Sequence, residues 1–119
     1  MTGRLLLVRH GQSSWNAEER LQGQADPPLS ELGRAPALAL ALAPVLRTLA
    51  PDLVVTSDLA RVRQSAELLG YPDAPADARW REFDLGDWTA RTKAEVRAES
   101  NGAYSAWRAG RAGPPGGEG

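Results

Sequence analysis

Leu5-Leu6-Leu7-Val8 is a continuous apolar run that stops at Arg9-His10-Gly11. Apolar residues in succession, without polar alternation, read as a strand buried on both faces, the type found in parallel sheets covered by helices. Leu53-Val54-Val55-Thr56 is a second run of this type and ends at Ser57-Asp58. Helical signatures lie between and after the two. Ser30 is placed to cap a helix running to about Leu49, with Leu38, Leu40, Leu42, Val45, Leu46 and Leu49 apolar. Pro36 and Pro44 fall inside it. An interior proline costs roughly 3 kcal/mol, so a kink or an early break is expected near one of them. Ser57 or Asp58 is expected to cap a further helix to Leu69, stopped by Gly70 and Pro72, with Leu59, Val62, Ala66 and Leu69 on one face. Thr92 to Glu99 and Tyr104 to Arg108 also read as helical, and Arg81 to Asp87 is ambiguous. From Gly110 onward the chain is rich in Gly and Pro and holds no core-forming residue, so 110–119 is expected as a disordered tail.

Strand, loop, helix, strand, helix is an α/β order. Ligands of open α/β sheets bind beyond the C-terminal ends of the strands. His10 follows the first run directly, and Arg61 sits in the first turn of the helix after the second. Parallel neighbouring strands would bring Arg9, His10 and Arg61 to one edge.

The chain's 119 residues suit one domain rather than two. Fourteen basic and fifteen acidic groups leave a net charge of −1, which gives no global reason to expect nucleic acid or an anionic membrane as partner. A basic site must therefore be local. The absence of cysteine excludes disulfides and thiolate metal sites. The N-terminal apolar run is too short for a signal peptide, and no run approaches the roughly 20 residues of a membrane span, so a cytoplasmic protein is expected. Oligomeric state is not legible.

His10 is the only histidine. Neutral imidazole is a good nucleophile toward phosphorus, and neighbouring cations disfavour its protonated form. Arginine suits phosphate because its planar fork donates parallel hydrogen bonds to two oxygens. Gly11 lets backbone approach an anion closely. A lone histidine after a strand is often an incidental surface group, and Arg61 or Glu82 alone would be ordinary solvated charges. Trp80 and Trp88 read as packing residues.

Several blocks in order carry a resemblance. Arg9-His10-Gly11-Gln12-Ser13-Ser14-Trp15-Asn16 resembles the signature R-H-G-[EQ]-[TS]-x-W-N of the histidine phosphatase (phosphoglycerate-mutase-like) superfamily. Arg20 to Ser30, followed by Gly33-Arg34-Ala35, is similar to its R-x-x-G-x-x-D-x-P-L-[ST]-x-x-G-x-x-Q-A block. Ser57 to Glu67 resembles S-x-L-x-R-A-x-Q-T-A-E, Arg81 to Trp88 resembles R-E-x-x-F-G-x-W-E-G, and Pro114 to Glu118 resembles P-x-G-E-S. Pro36 stands where Gln is usual, and Thr89-Ala90 where Glu-Gly is usual. The family's second catalytic histidine lies in an S-H-G segment downstream of the last block, and this sequence stops at Gly119 before it.

The resemblance implies a single α/β domain over 1–119, a three-layer sandwich truncated before its C-terminal strands. It implies a metal-independent phosphatase, without cofactor, hydrolysing a small-molecule phosphomonoester through a phosphohistidine at His10. In that reading Arg9 and Arg61 clamp the transferring phosphoryl and Asn16 adds a hydrogen bond. Glu82 is the general acid and then the base, and Gln22 and Gly23 line the substrate mouth. The alternatives are a phosphoglycerate-mutase-type phosphotransferase, and a non-catalytic phosphate-binding relative or inactive fragment. The form of the block from Arg61 to Glu67 looks more like phosphatase members than glycolytic mutases.

Overall fold

The computed structural model describes residues 3–117, and the side chains of all of these except residues 36–41. It contains α1 (Ser14–Ala17), α2 (Glu31–Arg34), α3 (Pro36–Leu49), α4 (Ala60–Leu68), α5 (Lys93–Glu99) and α6 (Ala103–Arg108), with single 3-10 turns at Ala78–Trp80 and Gly86–Trp88. No helix among the described residues is long and apolar enough to cross a membrane.

The helix expected from Ser30 to Leu49 breaks at the first proline. Ser30 Oγ accepts from Gly33 N at 3.0 Å and starts α2. Ala35 then takes an extended conformation with ψ 144°, because a residue before proline is pushed out of the helical region. Pro36 opens α3 at a position where its missing N–H removes no intrahelical bond. Pro44 remains inside α3. The side chains of Leu38 and Leu40, expected on its apolar face, lie outside the described residues.

The start of α4 corrects the sequence reading. Neither Ser57 nor Asp58 is its N-cap. Leu59 holds that position without a side-chain bond. The cap comes from a distant loop instead, as Asp26 Oδ1 accepts from Ala60 N at 2.6 Å. Asp58 is engaged by Arg81, whose Nε and Nη2 donate to its two carboxylate oxygens at 2.6 Å each. The buried face of α4 also differs from the apolar stripe. Arg61 and Ser65, one turn apart, are 1% and 4% exposed. Val62, Ala66 and Leu69 are only half-buried.

The two apolar runs expected as buried strands form no ladder among the described residues. Pairing there is confined to isolated bridges, Ser13 with Leu29, Arg20 with Thr92, and Thr56 with Ala76, the last parallel. Leu5 and Leu7 are each 80% exposed and Leu53 is 73% exposed. A doubly buried strand needs hydrogen-bonded neighbours and cover on both faces, and among the described residues only Thr56, at the end of the second run, is paired and buried. The Cα radius of gyration of 16.1 Å exceeds the about 13.5 Å expected of a closed domain of this length.

The main apolar cluster joins Leu21 to residues of the C-terminal third. Leu21, Leu85, Trp88, Val96 and Tyr104 form a buried cluster, with Ala103 and Trp107 against it. Trp107 meets Trp88 edge-on at 5.7 Å between ring centroids, a favoured aromatic geometry. Leu21 N donates to Arg91 O at 2.9 Å and Ala90 N to Leu21 O at 2.8 Å, which ties the loop before Gln22 to this cluster. The Gly- and Pro-rich stretch from Gly110, expected as a tail, departs from that expectation where it meets the interior. Pro114 is buried and Asp87 N donates to Pro115 O at 2.9 Å. The approach is close because Gly86 has no side chain, and a Cβ there would stand 2.3 Å from Pro115 O. Glu118 and Gly119 lie outside the described residues.

Candidate active site

His10 occupies the loop after Leu5–Val8 and is partly buried. Its Nδ1 lies 2.6 Å from the carbonyl oxygen of Gly11. A carbonyl can only accept, so Nδ1 carries the proton and Nε2 keeps the lone pair. Burial is the main cause that holds the imidazole pKa below its ordinary value. The Gly11 carbonyl opposes that shift, the charges of Arg61 and Arg9 add to it, and that of Glu82 opposes it.

Arg61 is held from beneath. Its Nη2 donates to Gly23 O at 2.6 Å and its Nη1 to Ala25 O at 2.8 Å. Arg61 Nε is buried and has no hydrogen-bond partner among the described residues. Burial pulls the guanidinium below its usual pKa, while the charges of Glu82 and Asp26 pull it back. A guanidinium stays protonated in proteins, so the site keeps a fixed cation.

Gly23 stands at φ +51°, and a Cβ there would meet Phe83 O at 2.8 Å. Only glycine lets the loop from Gln22 to Ala25 lie against the segment that carries Glu82. That contact is reinforced by Gln24 Nε2, which donates to Glu82 O at 3.3 Å. Gly23 therefore contributes its backbone, cradling Arg61. Glu82 itself is exposed, as is Arg9.

Asn16 and Gln22 form a second group around Ser13. Ser13 N donates to Asn16 Oδ1 at 3.0 Å and Asn16 N donates to Ser13 Oγ at 3.0 Å, a closed capping box at the start of α1. Ser13 Oγ donates to Gln22 Oε1 at 2.6 Å. Both amide oxygens are thus committed to structure, and a ligand would meet the amide NH2 groups. Ser13 is fully buried and joins the loop after His10 to the loop before Gly23.

Sequence reasoning missed Ser65 and Asp26. Ser65 Oγ accepts from Gly11 N at 2.9 Å and donates to Arg61 O at 2.7 Å. The signal was its place one turn after Arg61, on the same face of α4.

Against known proteins, a family model for the histidine phosphatase superfamily (branch 1) matches residues 5–119. The glucosyl-3-phosphoglycerate phosphatase of Mycobacterium tuberculosis is 45% identical over 108 residues, covering 88% of this chain and 48% of that protein. A probable phosphoglycerate mutase, GpmB, of Citrobacter koseri is 45% identical over 83 residues, covering 67% of this chain and 38% of that protein. Among solved structures, that of a mycobacterial glucosyl-3-phosphoglycerate phosphatase with VO3 superposes with a TM-score of 0.81 at 44% identity, over 92% of this chain and 55% of the other. The chain spans about half the length of the curated relatives it matches. On this match the chain belongs to branch 1 of the histidine phosphatase superfamily.

Proposed function

We propose that the protein is a phosphomonoesterase that works through a phosphohistidine on Nε2 of His10. The observation that carries this is the Nδ1–H···O bond to Gly11 at 2.6 Å, because it leaves Nε2 as the nucleophilic nitrogen of an imidazole kept neutral by burial. The Nε2 lone pair attacks phosphorus and the bond from phosphorus to the ester oxygen breaks. That oxygen leaves with a proton from the Glu82 carboxyl. The ring gains positive charge as it is phosphorylated, and the Gly11 carbonyl offsets it through Nδ1–H. Water then attacks phosphorus, Glu82 takes the water's proton, and the P–N bond breaks to return the imidazole. Arg61, Arg9 and the amide group of Asn16 hold the equatorial oxygens, while Gln22 and Gly23 shape the mouth.

The substrate class is a phosphate monoester of a small hydroxylated metabolite, which the name of the mycobacterial relative supports. The name of the Citrobacter relative favours the second reading, a phosphoglycerate-mutase-type transfer. Incubation with 3-phosphoglycerate and with an aryl phosphate separates them. Inorganic phosphate release without isomerisation is the outcome expected of a phosphatase, and isomerisation would establish the mutase.

The fold we propose is a single α/β sandwich in which Leu5–Val8 and Leu53–Thr56 are strands awaiting partners from further chain. The support is the 80% exposure of Leu5 and Leu7 and the half-length match to relatives. Unpaired apolar edges associate, so residues 1–119 alone should self-associate in sedimentation. A monodisperse monomer would contradict this.

A further inference from the structure

We propose that Ser65 is a positioning residue that couples the nucleophile to the phosphate-binding arginine, by holding Gly11, the residue whose carbonyl sets the tautomer of His10. The proposal rests on the reading of His10 as nucleophile and adds a residue to which that reading gives no part.

Gly11 is the pivot. Its carbonyl accepts from His10 Nδ1 at 2.6 Å, and its N–H donates to Ser65 Oγ at 2.9 Å. Ser65 Oγ in turn donates to Arg61 O at 2.7 Å. One hydroxyl thus accepts from the loop that carries the imidazole and donates to the helix that carries the guanidinium. Ser65 is 4% exposed, so water is a poor substitute for either bond. Gly11 lacks a side chain, and its loop forms no ladder among the described residues. The Ser65 hydroxyl fixes the His10–Gly11 peptide to α4 and so sets where the Gly11 carbonyl can lie. If Gly11 shifts, its carbonyl, which belongs to the next peptide, leaves Nδ1, and the proton is free to move to Nε2, the nitrogen that must attack.

Threonine keeps the hydroxyl, alanine removes it, and cysteine keeps most of the volume but accepts weakly. A purely structural serine would lower stability without changing the imidazole.

The test is 15N NMR of the imidazole in the full chain, unambiguous because His10 is the only histidine. The Nδ1–H tautomer is expected to dominate in the unmodified protein and in Ser65→Thr. In Ser65→Ala the population should move toward Nε2–H, with Ser65→Cys between, and Ser65→Cys gives the reading if the alanine variant does not fold. Where phosphorylation by an aryl phosphate is measurable, its rate should fall about tenfold in Ser65→Ala and return in Ser65→Thr. An unchanged Nδ1–H tautomer in a folded Ser65→Ala or Ser65→Cys variant would overturn the proposal. The phosphohistidine reading would survive that result, because it is judged separately by covalent labelling of His10.

Discussion

The Nη2 of Arg61 donates to the carbonyl oxygen of Gly23 at 2.6 Å, in a position where the arginine is 1% exposed. The arginine proposed to hold phosphate is thus also a structural post for the loop that faces Glu82. Two backbone carbonyls, those of Gly23 and Ala25, fix the guanidinium.

This double role makes Arg61→Ala costly in both respects. It removes two charge-assisted bonds to backbone carbonyls, each worth roughly 1.5–3 kcal/mol, so the denaturation midpoint should fall clearly. Vanadate binding should weaken at least tenfold. Arg61→Lys should recover neither fully, since an ammonium cannot span both carbonyls. Arg63, two residues on, is exposed, and Arg63→Ala should leave stability and vanadate affinity near the unmodified values. Equal effects of the two alanine variants in denaturant and vanadate titrations would contradict the site geometry.

The imidazole should titrate below the ordinary histidine value, because burial disfavours its charged form. The unfolded chain takes up its proton near pH 6.5 and the folded chain only at lower pH. Over that interval the unfolded state binds more protons, so His10 makes stability fall as the pH drops from about 6.5 to the lowered value. Below it the penalty is constant, and above 6.5 it is absent. The Cε1–H resonance of His10 followed against pH measures this, and a midpoint at or above 6.5 would show that burial does not govern the group.

Asp26 bridges the loop after Gly23 to the first turn of α4, accepting from Ala60 N at 2.6 Å. Asp26→Ala should cost about 1 kcal/mol, the usual worth of a helix N-cap. Asp26→Asn, which retains the oxygen, should cost much less. Chemical denaturation of the two variants provides the comparison, and equal losses would mean that the negative charge, and not the cap, stabilises α4.

The helices were largely legible because their signals are local. The helix expected from Thr92 to Glu99 is α5, Lys93–Glu99, capped by Thr92 Oγ1 accepting from Glu95 N at 3.1 Å, and the break expected at a proline falls at Pro36, where α3 begins. Trp88, 4% exposed, packs as expected, whereas Trp80 is 59% exposed. What sequence did not reveal depends on long-range contacts. The cap of α4 comes from Asp26, and Arg61 and Ser65 invert the expected buried face because the helix turns its polar side to the loops of the site. The strands at Leu5–Val8 and Leu53–Thr56 were read from composition, which registers that a segment is apolar and not whether a neighbour is present to pair with it. Within the site, the residue types of His10, Arg61 and Glu82 were legible. The backbone roles of Gly11 and Gly23 were not, because glycine advertises only the conformations it permits.

The most direct test of the account is covalent labelling. The protein is incubated with an aryl phosphate carrying labelled phosphorus, quenched in alkali and digested. A label that is stable in alkali, labile in acid and confined to Nε2 of His10 is the expected result, and it should be absent from His10→Ala. A label that persists in His10→Ala, or one that survives acid, would contradict the assignment of His10 as the nucleophile.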